Sequence, residues 1–115
     1  MDNKISKLIY DLEQAILNME NIIRGCTDVE FKENMMMKLA VERLFEIIGE
    51  AVNRIKKNDK TIYEMIDESD KIICFRNVIT HGYDIIDDDI TWSISNEKIP
   101  VLKESIRRIK EHLTD

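Results

Sequence analysis

Ile5-Ser6-Lys7-Leu8-Ile9-Tyr10-Asp11-Leu12-Glu13-Gln14-Ala15-Ile16-Leu17-Asn18-Met19-Glu20-Asn21-Ile22-Ile23 is the stretch on which the fold turns. Its apolar residues Ile5, Leu8, Ile9, Leu12, Ala15, Ile16, Met19, Ile22 and Ile23 recur every three or four positions. That is the period of one helix face, not the alternation of a half-buried strand. Gly25 follows where a C-cap glycine belongs, so a first helix is predicted over residues 4–24. Three glycines and one proline in 115 residues leave few places for the chain to break. The expected fold is all-α, an up-down four-helix bundle with one or two short extra helices. A single domain over residues 1–115 is large enough for one core.

Downstream, Thr27-Asp28-Val29-Glu30 has the capping-box pattern, which restarts a helix near residue 28. Met37, Val41, Leu44, Ile48, Ala51 and Ile55 form the next stripe, widened by Met36, Leu39, Ala40, Phe45, Ile47 and Val52. A helix this apolar must touch more than one neighbour. Gly49 sits inside it, where glycine costs up to about 1 kcal/mol relative to alanine and fits close approach of another helix. Met35 to Met37 read as fillers of core gaps. Lys56 to Lys60 reads as a polar connector, and the capping pattern Thr61-Ile62-Tyr63-Glu64 predicts a short helix over Ile62 to Ile66. Asp67 to Asp70 reads as a turn. Ser69 or Asp67 is placed to cap a helix bearing Ile72, Ile73, Phe75, Val78 and Ile79, which Gly82 ends. The acidic run Asp87, Asp88, Asp89 suits the N-terminus of a last helix. Ile99, Leu102, Ile106, Ile109 and Leu113 continue that helix, and Pro100 predicts a kink or break near Asn96 to Ile99.

The net charge of −6 argues against nonspecific polyanion binding, which rests on broad phosphate neutralisation. Any nucleic-acid contact must therefore be local. Positive residues cluster at Arg54, Lys56, Lys57 and Lys60 and again at Lys103, Arg107, Arg108 and Lys110, patterns that solvated helix faces also produce. Cys26 and Cys74 match no metal or redox spacing and read as reduced thiols. No apolar run approaches the ~20 residues of a membrane span, and no signal-peptide core is present, so a cytoplasmic location is expected. His112 reads as a surface residue. No serine is tied locally to a base, as a hydrolytic triad needs.

One segment carries chemistry: Arg76-Asn77-Val78-Ile79-Thr80-His81-Gly82-Tyr83. Arginine is a permanent forked cation suited to phosphate, and histidine is the side chain that exchanges protons near neutrality. The pair points to phosphodiester chemistry without a metal. On an ideal helix, Tyr83 projects ~20° from Arg76, Thr80 ~40° and His81 ~140°. Arginine and histidine would then share a site only if the helix unwinds at His81-Gly82 or if a second subunit supplies the matching group. The bland alternatives are Arg76 paired with an acidic residue, His81 at a helix C-terminus and Tyr83 as a half-buried aromatic. A hard-cation site of His81, Asp84, Asp87, Asp88 and Asp89 is disfavoured, because the acidic run has a simpler role at a helix start and its spacing is no recognised loop.

Arg76, His81 and the four residues between them resemble the R-x4-6-H signature of the HEPN superfamily, and the full R-N-x-x-x-H-x-Y form resembles its HepT branch. Val41-Glu42-Arg43-Leu44-Phe45-Glu46-Ile47-Ile48-Gly49-Glu50-Ala51 is similar to that family's second helix, and Ile99-Pro100-Val101-Leu102-Lys103 to its Leu-Pro-x-Leu-Lys segment. Thr61-Ile62-Tyr63-Glu64 departs from it, standing where members often carry a Pro-Trp-containing segment. The resemblance implies a metal-independent ribonuclease toxin with no cofactor, acting as a homodimer whose two motifs face each other. Arg76 and His81 would be catalytic, with Asn77, Thr80 and Tyr83 binding substrate RNA. It implies as partner a minimal nucleotidyltransferase antitoxin of the MntA type, which transfers AMP to Tyr83. The rival expectation is a catalytically silent subunit that binds a nucleotide or the transferase through the same cleft.

Overall fold

The apolar stripes become the buried faces of six helices in the computed structural model, which describes residues 3–82 and 86–114. They are α1 (Asn3–Ile23), α2 (Asp28–Glu33), α3 (Met35–Asn58), α4 (Lys60–Glu64), α5 (Ser69–His81) and α6 (Asp88–Thr114). Four are long and two short. Among the described residues there is no strand, so the region around Ile90 to Ile94 is helical despite its β-branched content.

The helix α3 is the centre of the bundle, with α1 on one side and α5 on another, while α6 lies against α1. The α3–α5 and α1–α6 pairs each run in opposite directions. Arg76 of α5 meets Gly49 of α3, whereas Lys56 near the end of α3 reaches Asp70 at the start of α5. Likewise Lys103 and Lys110 of α6 pair with Glu20 and Glu13 of α1, in reverse order. Leu12, Met19, Val41, Val52, Ile55 and Ile109 are completely enclosed between these faces. Aromatic pairs tie the neighbours: Phe45 and Phe75 stack edge to face with centroids 5.0 Å apart, and Phe31 tilts against Trp92 at 5.3 Å.

Local chemistry explains most of the boundaries. Gly25 takes φ +71°, the left-handed residue that closes α1. Thr27 forms the full capping box with Glu30, and Asn34 caps α3 by accepting from the Met37 amide at 3.0 Å. A single residue thus joins α2 to α3. Asp87 accepts from the amides of Asp89 and Ile90, fixing the start of α6.

Several expectations are corrected. The Lys56–Lys60 connector shrinks to Asp59, since α3 runs to Asn58 and the Asp59 carboxylate accepts from Ile62 to begin α4. Asp59 thereby displaces Thr61 as the cap, and α4 spans Lys60–Glu64, not Ile62 to Ile66. Neither Ser69 nor Asp67 caps α5. The N-cap is Glu68 in a left-handed conformation without a side-chain cap bond, while Ser69 is buried and Asp67 is tied to Ser105 and Arg108 of α6. The α6 helix runs unbroken through Pro100. Asn96, whose carbonyl loses its i+4 partner to the proline, and Pro100 are both exposed, so water can satisfy the orphan. Met35 and Met36 are exposed and only Met37 joins the core. Relative to the inward line through Met37, Val41 and Leu44, Met35 and Leu39 project ~160° away.

Candidate functional site

The site begins with a backbone contact. Gly49 is buried where α3 and α5 cross, and a Cβ there would lie 2.2 Å from the Cβ of Arg76 and 2.4 Å from its Cγ. Glycine is therefore required for α5 to come this near, and its helix-propensity cost is offset by the packing it permits. The stem of Arg76 crosses the missing side chain and delivers the guanidinium to Glu50, the next residue of α3.

Arg76 Nη2 donates to Glu50 Oε2 at 3.1 Å, and Nη1 donates to Asn77 Oδ1 at 3.0 Å. The other oxygen of Glu50 accepts from Arg54 Nε at 2.9 Å. One carboxylate thus links two arginines. The hydrogen bond from Arg54, reinforced by the positive charges of Arg54 and Arg76, holds the Glu50 carboxyl below its ordinary pKa despite partial desolvation. Glu50 is therefore ionised at neutral pH. Among the described residues, Arg76 Nε and the Thr80 hydroxyl one turn further along α5 are buried without a hydrogen-bond partner.

The motif residues do not all converge within one chain. Arg76 and Asn77 are joined, Thr80 turns its hydroxyl inward, and His81 is exposed at the last position of α5. The helix stays intact through His81, with the Gly82 amide donating to the Val78 carbonyl at 2.7 Å. Unwinding before Gly82 therefore does not bring His81 onto the Arg76 face. Tyr83 and Asp84 lie outside the described residues. Asp88 pairs with Lys38 and Asp89 with Lys32, so these carboxylates serve the start of α6. His112 is exposed, as expected.

Glu50 and Arg54 escaped the motif reading. Their signal was present as a Glu and an Arg four apart on one helix face, beside an internal glycine. It looks like an ordinary surface pair until Arg76 is placed against it.

An all-α bundle with an arginine drawn over a helix-packing glycine and a histidine at the end of the same helix defines a class. The chain belongs to the HepT-like ribonuclease family, whose model, Ribonuclease HepT-like, matches residues 12–109. It is similar to two Methanocaldococcus jannaschii proteins, "Putative RNase MJ0125" (29% identity over 114 residues, 96% of this chain and 95% of that protein) and "Putative RNase MJ1216" (29% over 105 residues, 91% and 86%). It is also 28% identical over 103 residues to "Probable ribonuclease HepT" of Thermococcus cleftensis, covering 90% of this chain and 93% of that one. No solved structure matches the chain significantly. Among the described residues, no helix is long and apolar enough to cross a membrane.

Proposed function

We propose that the chain is a metal-independent endoribonuclease toxin that acts as a homodimer and is silenced by AMP transfer to Tyr83 from a minimal nucleotidyltransferase antitoxin. The observation that carries this reading is the position of Arg76, fixed by Gly49 and Glu50 on α3, with His81 exposed at the end of the same helix. Family membership supplies the reaction class.

The reaction needs a base, an acid and a cation. One His81 takes the proton of an RNA 2′-hydroxyl, whose oxygen attacks the neighbouring phosphorus. The bond from phosphorus to the 5′-oxygen breaks, and His81 of the second subunit protonates that leaving oxygen. A 2′,3′-cyclic phosphate and a 5′-hydroxyl result. Arg76 stabilises the extra negative charge on phosphorus as it forms. Asn77 and Tyr83 are the proposed substrate contacts, with Tyr83 able to stack on a base, whereas Thr80, whose hydroxyl is buried, would have to turn outward to join them. An adenylyl group on Tyr83 adds bulk and negative charge where phosphate enters, blocking the site sterically and electrostatically.

The test is expression with and without the transferase. Growth arrest by the chain alone, relief by the partner, and one adenylyl group by intact mass on wild type but not on Tyr83→Phe are expected. Harmless expression with tight, unmodified complex formation would instead favour the silent-subunit reading. The ion pair that already occupies Arg76 is the observation on that side.

A further inference from the structure

Arg54 is the residue that the motif chemistry leaves unused. It lies with Arg43, Arg76, Asp11, Glu46 and Glu50 around an open depression of about 290 Å³ between α1, α3 and α5. The charges in it can be paired off. Asp11 is taken by Lys7, Glu46 faces Arg43 at 3.8 Å, and Glu50 is shared by Arg54 and Arg76. With Lys7 counted, four cations meet three carboxylates among the described residues, so one positive charge is in excess. Arg54 spends only Nε on Glu50, so four of its five N–H donors have no partner among the described residues.

We propose that Arg54 is a second phosphate-binding residue, set beside Arg76 by the shared Glu50 carboxylate, and that Glu50 is a positioning residue for both. The two arginines form a clamp that engages adjacent phosphates of a single-stranded RNA, which rests on the ribonuclease reading for the identity of the anion. Glu50 is a fellow anion and repels phosphate, yet it fixes the direction of each guanidinium. Removing its charge while keeping its shape should therefore separate binding from turnover.

The experiment uses the full chain and a short single-stranded RNA carrying 2′-O-methyl groups, which can bind but lacks the attacking hydroxyl. Between about 50 and 200 mM salt, each phosphate contact contributes ~0.7 to the slope of log affinity against log salt. Arg54→Ala is expected to weaken binding about 3- to 10-fold and to make that slope shallower by ~0.7, while Arg107→Ala on α6 leaves both unchanged. Glu50→Gln is expected to bind the methylated RNA as tightly as wild type or tighter. Its single-turnover cleavage of unmodified RNA should fall about 10-fold or more, because a misdirected guanidinium misses the transition state. Glu50→Asp should restore part of that loss. An unchanged slope and affinity in Arg54→Ala, or no binding of the methylated RNA by wild type, overturns the clamp whatever the cleavage. A fall in binding alongside melting temperature in Glu50→Gln removes the positioning role. Wild-type binding that depends on Arg54 without any RNA cleavage leaves the clamp standing and sinks the ribonuclease reading.

Discussion

On α6, one arginine serves two carboxylates; at the α3–α5 crossing, one carboxylate serves two arginines. Arg107 donates Nε and Nη2 to Glu104 and Nη1 to Glu111, and those bonds and charges push its pKa further above its ordinary value. Its charge is spent within its own helix. Arg54 and Arg76 share the Glu50 carboxylate, and the stem of Arg76 crosses the glycine that brings the two helices together. Arg54 and Arg107 both read as basic residues on a helix face in the sequence, whereas Arg76 stood out in its motif. The difference lies in stoichiometry and in where the partner comes from. A saturated arginine adds a little to helix stability, whereas an undersaturated pair retains affinity for an outside anion.

The contrast can be broken in order of expected effect. Arg76→Ala should lower RNA cleavage by ~10³-fold or more, as loss of a group that stabilises transition-state charge does, with Arg107→Ala near wild type in the same assay. Gly49→Ala should come next: the added methyl drives into Arg76, so chemical denaturation should show a loss of about 1–3 kcal/mol from overpacking, with cleavage reduced as well. Arg54→Ala follows, with its shallower salt dependence.

The smallest effect concerns two carboxylates of α3 whose environments differ in sign. Burial, aided by Asp88, raises the Glu42 pKa above its ordinary value, while the bond from Arg54 lowers that of Glu50. With a raised folded-state pKa, Glu42 holds more protons in the folded chain just above pH 4.5, and its contribution falls as pH rises through that window. Glu50 behaves oppositely, its contribution present at neutral pH and lost as pH falls through its lowered value. Glu42→Gln should thus raise the melting temperature at pH 7 by about 1–3 °C and change little at pH ~4, whereas Glu50→Gln should lower it slightly at pH 7. Equal responses from the two variants would show that their environments do not differ.

The long helices were legible in the sequence because nine apolar residues of α1 and six of α3 keep helical period without interruption. Gly49 was legible as a packing position, though its neighbour was not. That Arg76 crosses it depends on the register of two helices, between residues 27 apart in the chain, which periodicity does not encode. Pro100 misled because a proline on an exposed face leaves its orphan carbonyl to solvent. Met35 and Met36 misled because apolar character alone does not say which side of a helix faces in. In the candidate site, the angle between Arg76 and His81 was readable from helical geometry, and α5 remains helical through His81. Glu50 and Arg54 were hidden because a Glu and an Arg four apart are common on any solvated helix.

The most direct measurement is single-turnover cleavage of one defined RNA in excess EDTA, followed by end-group analysis, for wild type, Arg76→Ala and His81→Ala. The melting temperature and sedimentation of each protein are recorded in the same buffer. The account predicts fragments ending in 2′,3′-cyclic phosphate from wild type and none from either variant, with all three proteins folded and dimeric. Cleavage that persists in both variants, or that requires an added divalent ion, would contradict it.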